Sequence, residues 1–131
     1  MLGANGVFSL EPQTPKRIGS SVARRFITVA ETPLFSRQAR EVRDELERES
    51  FIDFIARNPE EGDLIPETGG VRKIRWGRPG SGKRGGSRVI YFYHRRDRPL
   101  YLLMVYAKAR QENLTADEKQ AVRKLAAILK S

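Results

Sequence analysis

The sequence contains no cysteine, a single histidine, one tryptophan and two methionines. Without cysteine there are no disulfides, no thiolate nucleophile and no thiolate metal site. With His94 as the lone imidazole, a structural zinc site is excluded too. No stretch approaches the roughly 20 consecutive apolar residues that span a bilayer, and the first residues lack the apolar centre of a secretory signal. These shortages lead to an expectation of a soluble cytoplasmic protein that carries no metal or cofactor and has no membrane role.

Positive charge is what the chain has in excess: 25 Lys and Arg against 16 Asp and Glu among 131 residues, a formal net charge of +9. The length suits one domain with one modest core, and the charge points to a polyanion or an acidic protein as partner. Much of it is concentrated between Gly69 and Arg98 (GGVRKIRWGRPGSGKRGGSRVIYFYHRRDR), where Asp97 is the lone acid. From Glu31 to Glu67, by contrast, acidic residues outnumber basic ones. Such a split keeps one part of the molecule facing phosphate and another away from it.

The basic stretch alternates at both ends, which predicts two strands joined by a loop. In Val71–Trp76, Arg72, Ile74 and Trp76 share one face, and Val71, Lys73 and Arg75 share the other. In the strand from Ser87 to about Arg95, Arg88, Ile90, Phe92 and His94 face one way, and Val89, Tyr91 and Tyr93 the other. Trp76, alongside Ile74, is expected in the core. A third strand, Leu100 to Lys108, is the most apolar and is placed at the centre of the sheet. The linking loop, GRPGSGKRGG, partly matches a nucleotide-binding P-loop, but Arg84 stands where the magnesium-binding hydroxyl belongs. An NTPase is therefore rejected, and the loop, with Lys83 and Arg84, reads as a basic hairpin tip.

Upstream, residues 1–21 show no period and are expected to form a disordered or loosely attached extension, leaving a single domain over 22–131. A strand is predicted over Arg25–Glu31. Thr32 and Pro33 then read as the N-cap and first residue of a helix, and a second helical stretch runs to Asn58; the two form either one bent helix or an αα-hairpin broken around Glu47 to Ser50. Thr115–Glu118 forms a capping box that opens a last helix with Val122, Leu125, Ala126 and Leu129 at helical spacing. The predicted order is β-α-α-β-β-β-α, an α+β fold with a small antiparallel sheet.

Basic residues held on strands, tyrosines that can stack bases and a glycine-rich loop together favour RNA over simple solvation. RNA carries its own nucleophile, the 2'-hydroxyl, so cleavage requires in-line orientation, proton transfer and cations over the developing phosphorane charge. Lysine and arginine on a rigid sheet supply that electrostatic part.

The strings GDLIPETGGVRKIRW, GKRGGSRVIYFYH and LYLLMVYAK, followed by the LTADEK helix, resemble the RelE/ParE superfamily of toxins from type II toxin–antitoxin modules, most of all its HigB branch. The resemblance implies a RelE-like fold: a small antiparallel sheet with two N-terminal helices and a C-terminal helix. It implies a ribosome-dependent mRNA interferase that cuts mRNA in the A site by metal-independent 2'-hydroxyl attack. Lys73, Arg75 and Arg88 match the family's catalytic basic residues; Lys83, Arg84, Tyr91, Tyr93, His94, Lys108 and Arg110 are the candidate RNA contacts. The implied partners are the ribosome, mRNA and a helix-turn-helix antitoxin, with operator DNA reached through that antitoxin. Two other readings fit the same surface: a ParE-like inhibitor of DNA gyrase and a non-catalytic RNA-binding module.

Overall fold

The apolar run Leu100–Ala107 sits near the middle of a six-stranded sheet because it can bury both of its faces. The computed structural model describes residues 12–13, 27–42, 45–77 and 86–131. In chain order its elements are β1 (Pro12–Gln13), β2 (Val29–Glu31), α1 (Pro33–Val42), α2 (Glu45–Arg57), β3 (Asp63–Leu64), β4 (Val71–Trp76), β5 (Ser87–Phe92), β6 (Leu100–Ala107) and α3 (Ala116–Lys130). The strands lie side by side in the order β1-β2-β6-β5-β4-β3. The fold is α+β, as expected. The sheet is mixed, however, not wholly antiparallel: β2 runs parallel to β6.

That parallel pairing is fixed at its ends. The Leu100 amide donates to the Thr28 carbonyl at 2.8 Å and the Thr32 amide to the Leu102 carbonyl at 3.1 Å. Thr32 also caps α1, its hydroxyl accepting from the Phe35 amide at 3.0 Å and donating to the Leu103 carbonyl at 3.0 Å. The second bond falls at a β-bulge, where Tyr91 pairs with Leu102 and Ile90 with Met104, leaving Leu103 as the extra residue. Thus one side chain starts a helix and also satisfies an irregular strand.

Helices cover both faces of the sheet. On one, Phe35 and Ala39 of α1 and Phe51, Ile52 and Ile55 of α2 pack on Val29, Trp76, Val89, Tyr91, Leu100 and Leu102. On the other, Val122 and Ala126 of α3 pack on Val71, Ile90, Phe92, Met104 and Tyr106. The alternation read from the sequence sorts β4 and β5 between these two cores as predicted. The capping box forms as well: Glu118 accepts from the Thr115 amide at 2.9 Å, and Thr115 accepts from the Glu118 amide at 3.1 Å.

Two boundaries differ from the sequence reading. Glu47–Ser50 lies inside α2, so the helix break falls earlier; Arg48 is drawn into the helix by its bonds to the Glu31 carboxylate, which is 4% exposed. The second ribbon strand stops at Phe92, where its partner β6 begins pairing and a turn bonds the Arg98 amide to the Arg95 carbonyl. The expected extension over 1–21 lies outside the described residues, except for Pro12–Gln13, which pair antiparallel with β2.

Candidate functional site

Strand register decides which basic residues meet. In β4 and β5, Arg75 lies directly opposite Arg88, and Arg88 in turn lies opposite Tyr106 of β6. Directly paired residues project on the same face with Cα atoms roughly 5 Å apart. The next rung on that face is Lys73, Ile90 and Met104. The three predicted catalytic residues therefore share one face, in two adjacent rungs at the hairpin end of the sheet. Two guanidiniums on one rung present several donors to a single anion.

The surroundings hold this charge in place. Tyr106 is 6% exposed, and its hydroxyl donates to the Glu112 carbonyl at 3.4 Å. Burial pushes its phenol above the ordinary value, while the Arg88 guanidinium pulls it back. The ring thus stays neutral beside Arg88 at physiological pH. Lys73 reaches the other way, donating from Nζ to Asn113 Oδ1 at 2.9 Å. Asn113 is fixed by the loop before α3, in which Gln111 donates to the Asn113 carbonyl and to the Glu118 carboxylate, both at 3.0 Å.

The other sequence candidates are divided. Lys108 follows β6 at the same end as Arg88 and pairs with Glu112 at 3.4 Å; Arg110 is exposed in the turn just beyond. His94 lies at the opposite end of the sheet, six residues and about 20 Å along the chain from Arg88. Its exposed ring stacks on Phe92 with a centroid separation of 6.2 Å. Tyr93 sits beside it but turns towards the core under α1 and α2. Lys83 and Arg84 lie outside the described residues.

Tyr91 requires a correction. It is fully buried on the face opposite Arg88, donating its hydroxyl to the Pro59 carbonyl at 2.8 Å and accepting from the Gly62 amide at 2.8 Å. Its ring cannot stack on a base. Trp76 is also a core residue, stacked on Phe51 at 5.0 Å. Among the described residues, no group of three or more His, Asp or Glu side chains gathers to hold a metal ion.

The family model for the RelE toxin of the RelE / RelB toxin-antitoxin system matches residues 27–131. The chain belongs to the RelE toxin family. That match takes in the whole basic face, from Lys73 through Lys108, together with α3. For a RelE-family toxin an antitoxin is the implied partner. Among the described residues, no helix of this toxin is long and apolar enough to cross a membrane. Asn113 is the site residue that sequence reasoning missed. It is forty positions from Lys73, and no periodicity or motif marks it.

Proposed function

We propose that this RelE-family toxin is a ribosome-dependent mRNA endoribonuclease, of the HigB type, which cuts mRNA in the ribosomal A site and so stops translation. The observation that carries the reading is the Arg75–Arg88 rung, two guanidiniums on one face with Lys73 one rung away. Held as a pair, they bracket a single phosphate. As the 2'-oxygen attacks that phosphate in line, negative charge builds on the equatorial oxygens, and fixed guanidiniums stabilise this phosphorane more than the starting diester; the bond from phosphorus to the next nucleotide's 5'-oxygen then breaks, leaving a cyclic phosphate on one fragment and a 5'-hydroxyl, which takes up a proton, on the other. Lys73 orients the nucleotide and assists proton transfer. Tyr106, neutral and tucked beside Arg88, braces that arginine from beneath.

The ribosome supplies what a small open face lacks: an immobilised, extended mRNA whose 2'-oxygen, phosphorus and leaving oxygen are brought into line. Lys108 and Arg110, on the same end of the sheet, contact the flanking backbone or ribosomal RNA. The cognate antitoxin, a helix-turn-helix protein, neutralises the toxin by covering the basic face or the acidic α1–α2 layer. Operator DNA is met only through that antitoxin.

The test is primer extension on defined mRNA with and without programmed ribosomes. Cleavage is expected only with ribosomes present, and only by protein that retains Arg75 and Arg88. Intact mRNA in both reactions would overturn the proposal. If gyrase supercoiling were blocked instead, the gyrase reading would replace it.

A further inference from the structure

A cleft of about 650 Å³ opens beside the C-terminal half of α3, against the loop that joins β3 to β4. That volume falls within the range of roughly 300–1,000 Å³ typical of small-ligand sites. Glu67, Thr68 and Gly69 form one wall; Arg123, Ala127 and Lys130, a single stripe of the helix, form the other. The arginine rung lies elsewhere, since β4 carries the chain from Val71, next to this loop, to Arg75 about 13 Å away.

We infer that this cleft binds a diphosphate group, held between Arg123 and Lys130. Among the described residues neither cation has a carboxylate partner. The Arg123 guanidinium makes a long contact of 3.5 Å with the Gln120 side chain. The Lys130 ammonium reaches across to the loop, where a Cβ on Gly69 would lie 3.5 Å from it. The carboxylate that lines the cleft, that of Glu67, is paired with Lys119 at 3.6 Å. Seven helical residues set the two cations' backbone positions about 10 Å apart along the axis, a spacing that suits two linked phosphates, one for each cation, better than one. The walls hold no aromatic ring and no large apolar side chain, so they fit the charged group and not a base.

A helix C-terminus ordinarily disfavours an anion, and a lysine there ordinarily serves the last carbonyls. Here other groups serve them. Arg98 donates to the Leu129 carbonyl at 3.1 Å, and the Ser131 hydroxyl donates to the Ile128 carbonyl at 3.0 Å. Lys130 is thereby left for a ligand. The opposite wall is set in advance: Thr68 is fully buried, donating to the Ile65 carbonyl at 2.7 Å and accepting from the Val71 amide at 3.1 Å. Gly69 follows in the left-handed region, with φ of 79°, and its amide donates no hydrogen bond to a described residue. That amide is a further donor at the cleft, on a loop that costs little to order when a ligand binds.

The experiment is isothermal titration calorimetry on the full chain at fixed salt, with pyrophosphate, orthophosphate, ADP and GDP as titrants. One pyrophosphate should bind tightly per chain, about tenfold better than orthophosphate, and Arg123→Ala and Lys130→Ala should each weaken it about tenfold. Two controls should leave it unchanged: Lys124→Ala, which removes an equal charge from the same helix outside the cleft, and Arg75→Ala, which dismantles the arginine rung. Equal affinity for ADP and GDP would show a nucleotide-borne diphosphate; affinity for pyrophosphate alone would show a free one. The site is overturned by an absence of binding, by equal weakening in Lys124→Ala, or by loss in Arg75→Ala with Arg123→Ala and Lys130→Ala unaffected. None of these readouts involves mRNA cleavage, so the ribonuclease reading stands or falls separately.

Discussion

Arg75 and Arg88 face each other across neighbouring strands, which puts two guanidiniums on one rung of the sheet. Replacing either with alanine should lower cleavage on ribosomes by about 10²–10³-fold, as for other fixed transition-state donors, with a much smaller effect on thermal stability. Replacement with lysine should recover a minor part of the rate, because a single ammonium cannot present two parallel donors to a phosphate. Melting curves and primer extension on the same preparations check both statements. An arginine that served only the fold would show the reverse, lost stability with retained rate.

Tyr91 carries a prediction of a different kind. Burial holds its phenol above the ordinary value, with the hydrogen bond to Gly62 working in the opposite direction. The folded state thus favours the neutral form. That stability is fully present below about pH 10, the unfolded value, and is lost as pH rises through the folded one. Tyr91→Phe should cost about 1–3 kcal/mol at neutral pH, since the Pro59 carbonyl and Gly62 amide lose their partner. Between about pH 9 and 11 its stability should fall less steeply than that of the unaltered protein. Denaturant titrations across that range measure the difference in slope.

At the scale of elements, the helical layer is joined to the sheet by a buried ion pair. Arg48 of α2 reaches the carboxylate of Glu31 at the end of β2, with contacts of 2.6 and 3.2 Å, and Ser36 of α1 donates to the same carboxylate at 2.6 Å. Removing the guanidinium would strand a buried charge, so Arg48→Ala should destabilise the protein by about 3–5 kcal/mol, read from the urea midpoint. Arg48→Ala paired with Glu31→Gln should recover part of that loss. Gly62 is an equally tight junction: a Cβ there would lie 2.8 Å from the Tyr91 ring and 2.9 Å from the Lys73 carbonyl. Gly62→Ala should cost about 1–3 kcal/mol, and it should disturb Lys73 through its own backbone.

The elements also show why some of the site could be read from the sequence and some could not. The period of two separated Lys73 and Arg75 from Ile74 and Trp76, because local backbone geometry fixes that alternation. It could not place Arg75 opposite Arg88, since register depends on how a glycine-rich loop closes and on what lies beneath each strand. Tyr91 shows the converse difficulty. Its face was legible, but its burial depends on α1, α2 and the Pro59–Gly62 loop, all distant in sequence. The parallel pairing of β2 with β6 and the Lys73–Asn113 bond were hidden for the same reason, each being a contact between segments far apart along the chain.

Across the whole molecule, Lys73, Arg75 and Arg88 project from the face of the sheet opposite α1 and α2. A polyanion is therefore drawn to one side and turned to present its backbone to the arginine rung. The sheet supplies rigidity, and α3 with its preceding loop supplies the wall beside Lys73. The measurement that bears most directly on the proposed function is the distribution of new mRNA 5' ends within reading frames after induction in growing cells, compared with that of the Arg75→Ala, Arg88→Ala double variant. The unaltered toxin should produce abundant ends inside translated frames and few in untranslated RNA, and the double variant almost none. Growth arrest with intact mRNA, or an undiminished set of ends from the double variant, would contradict it.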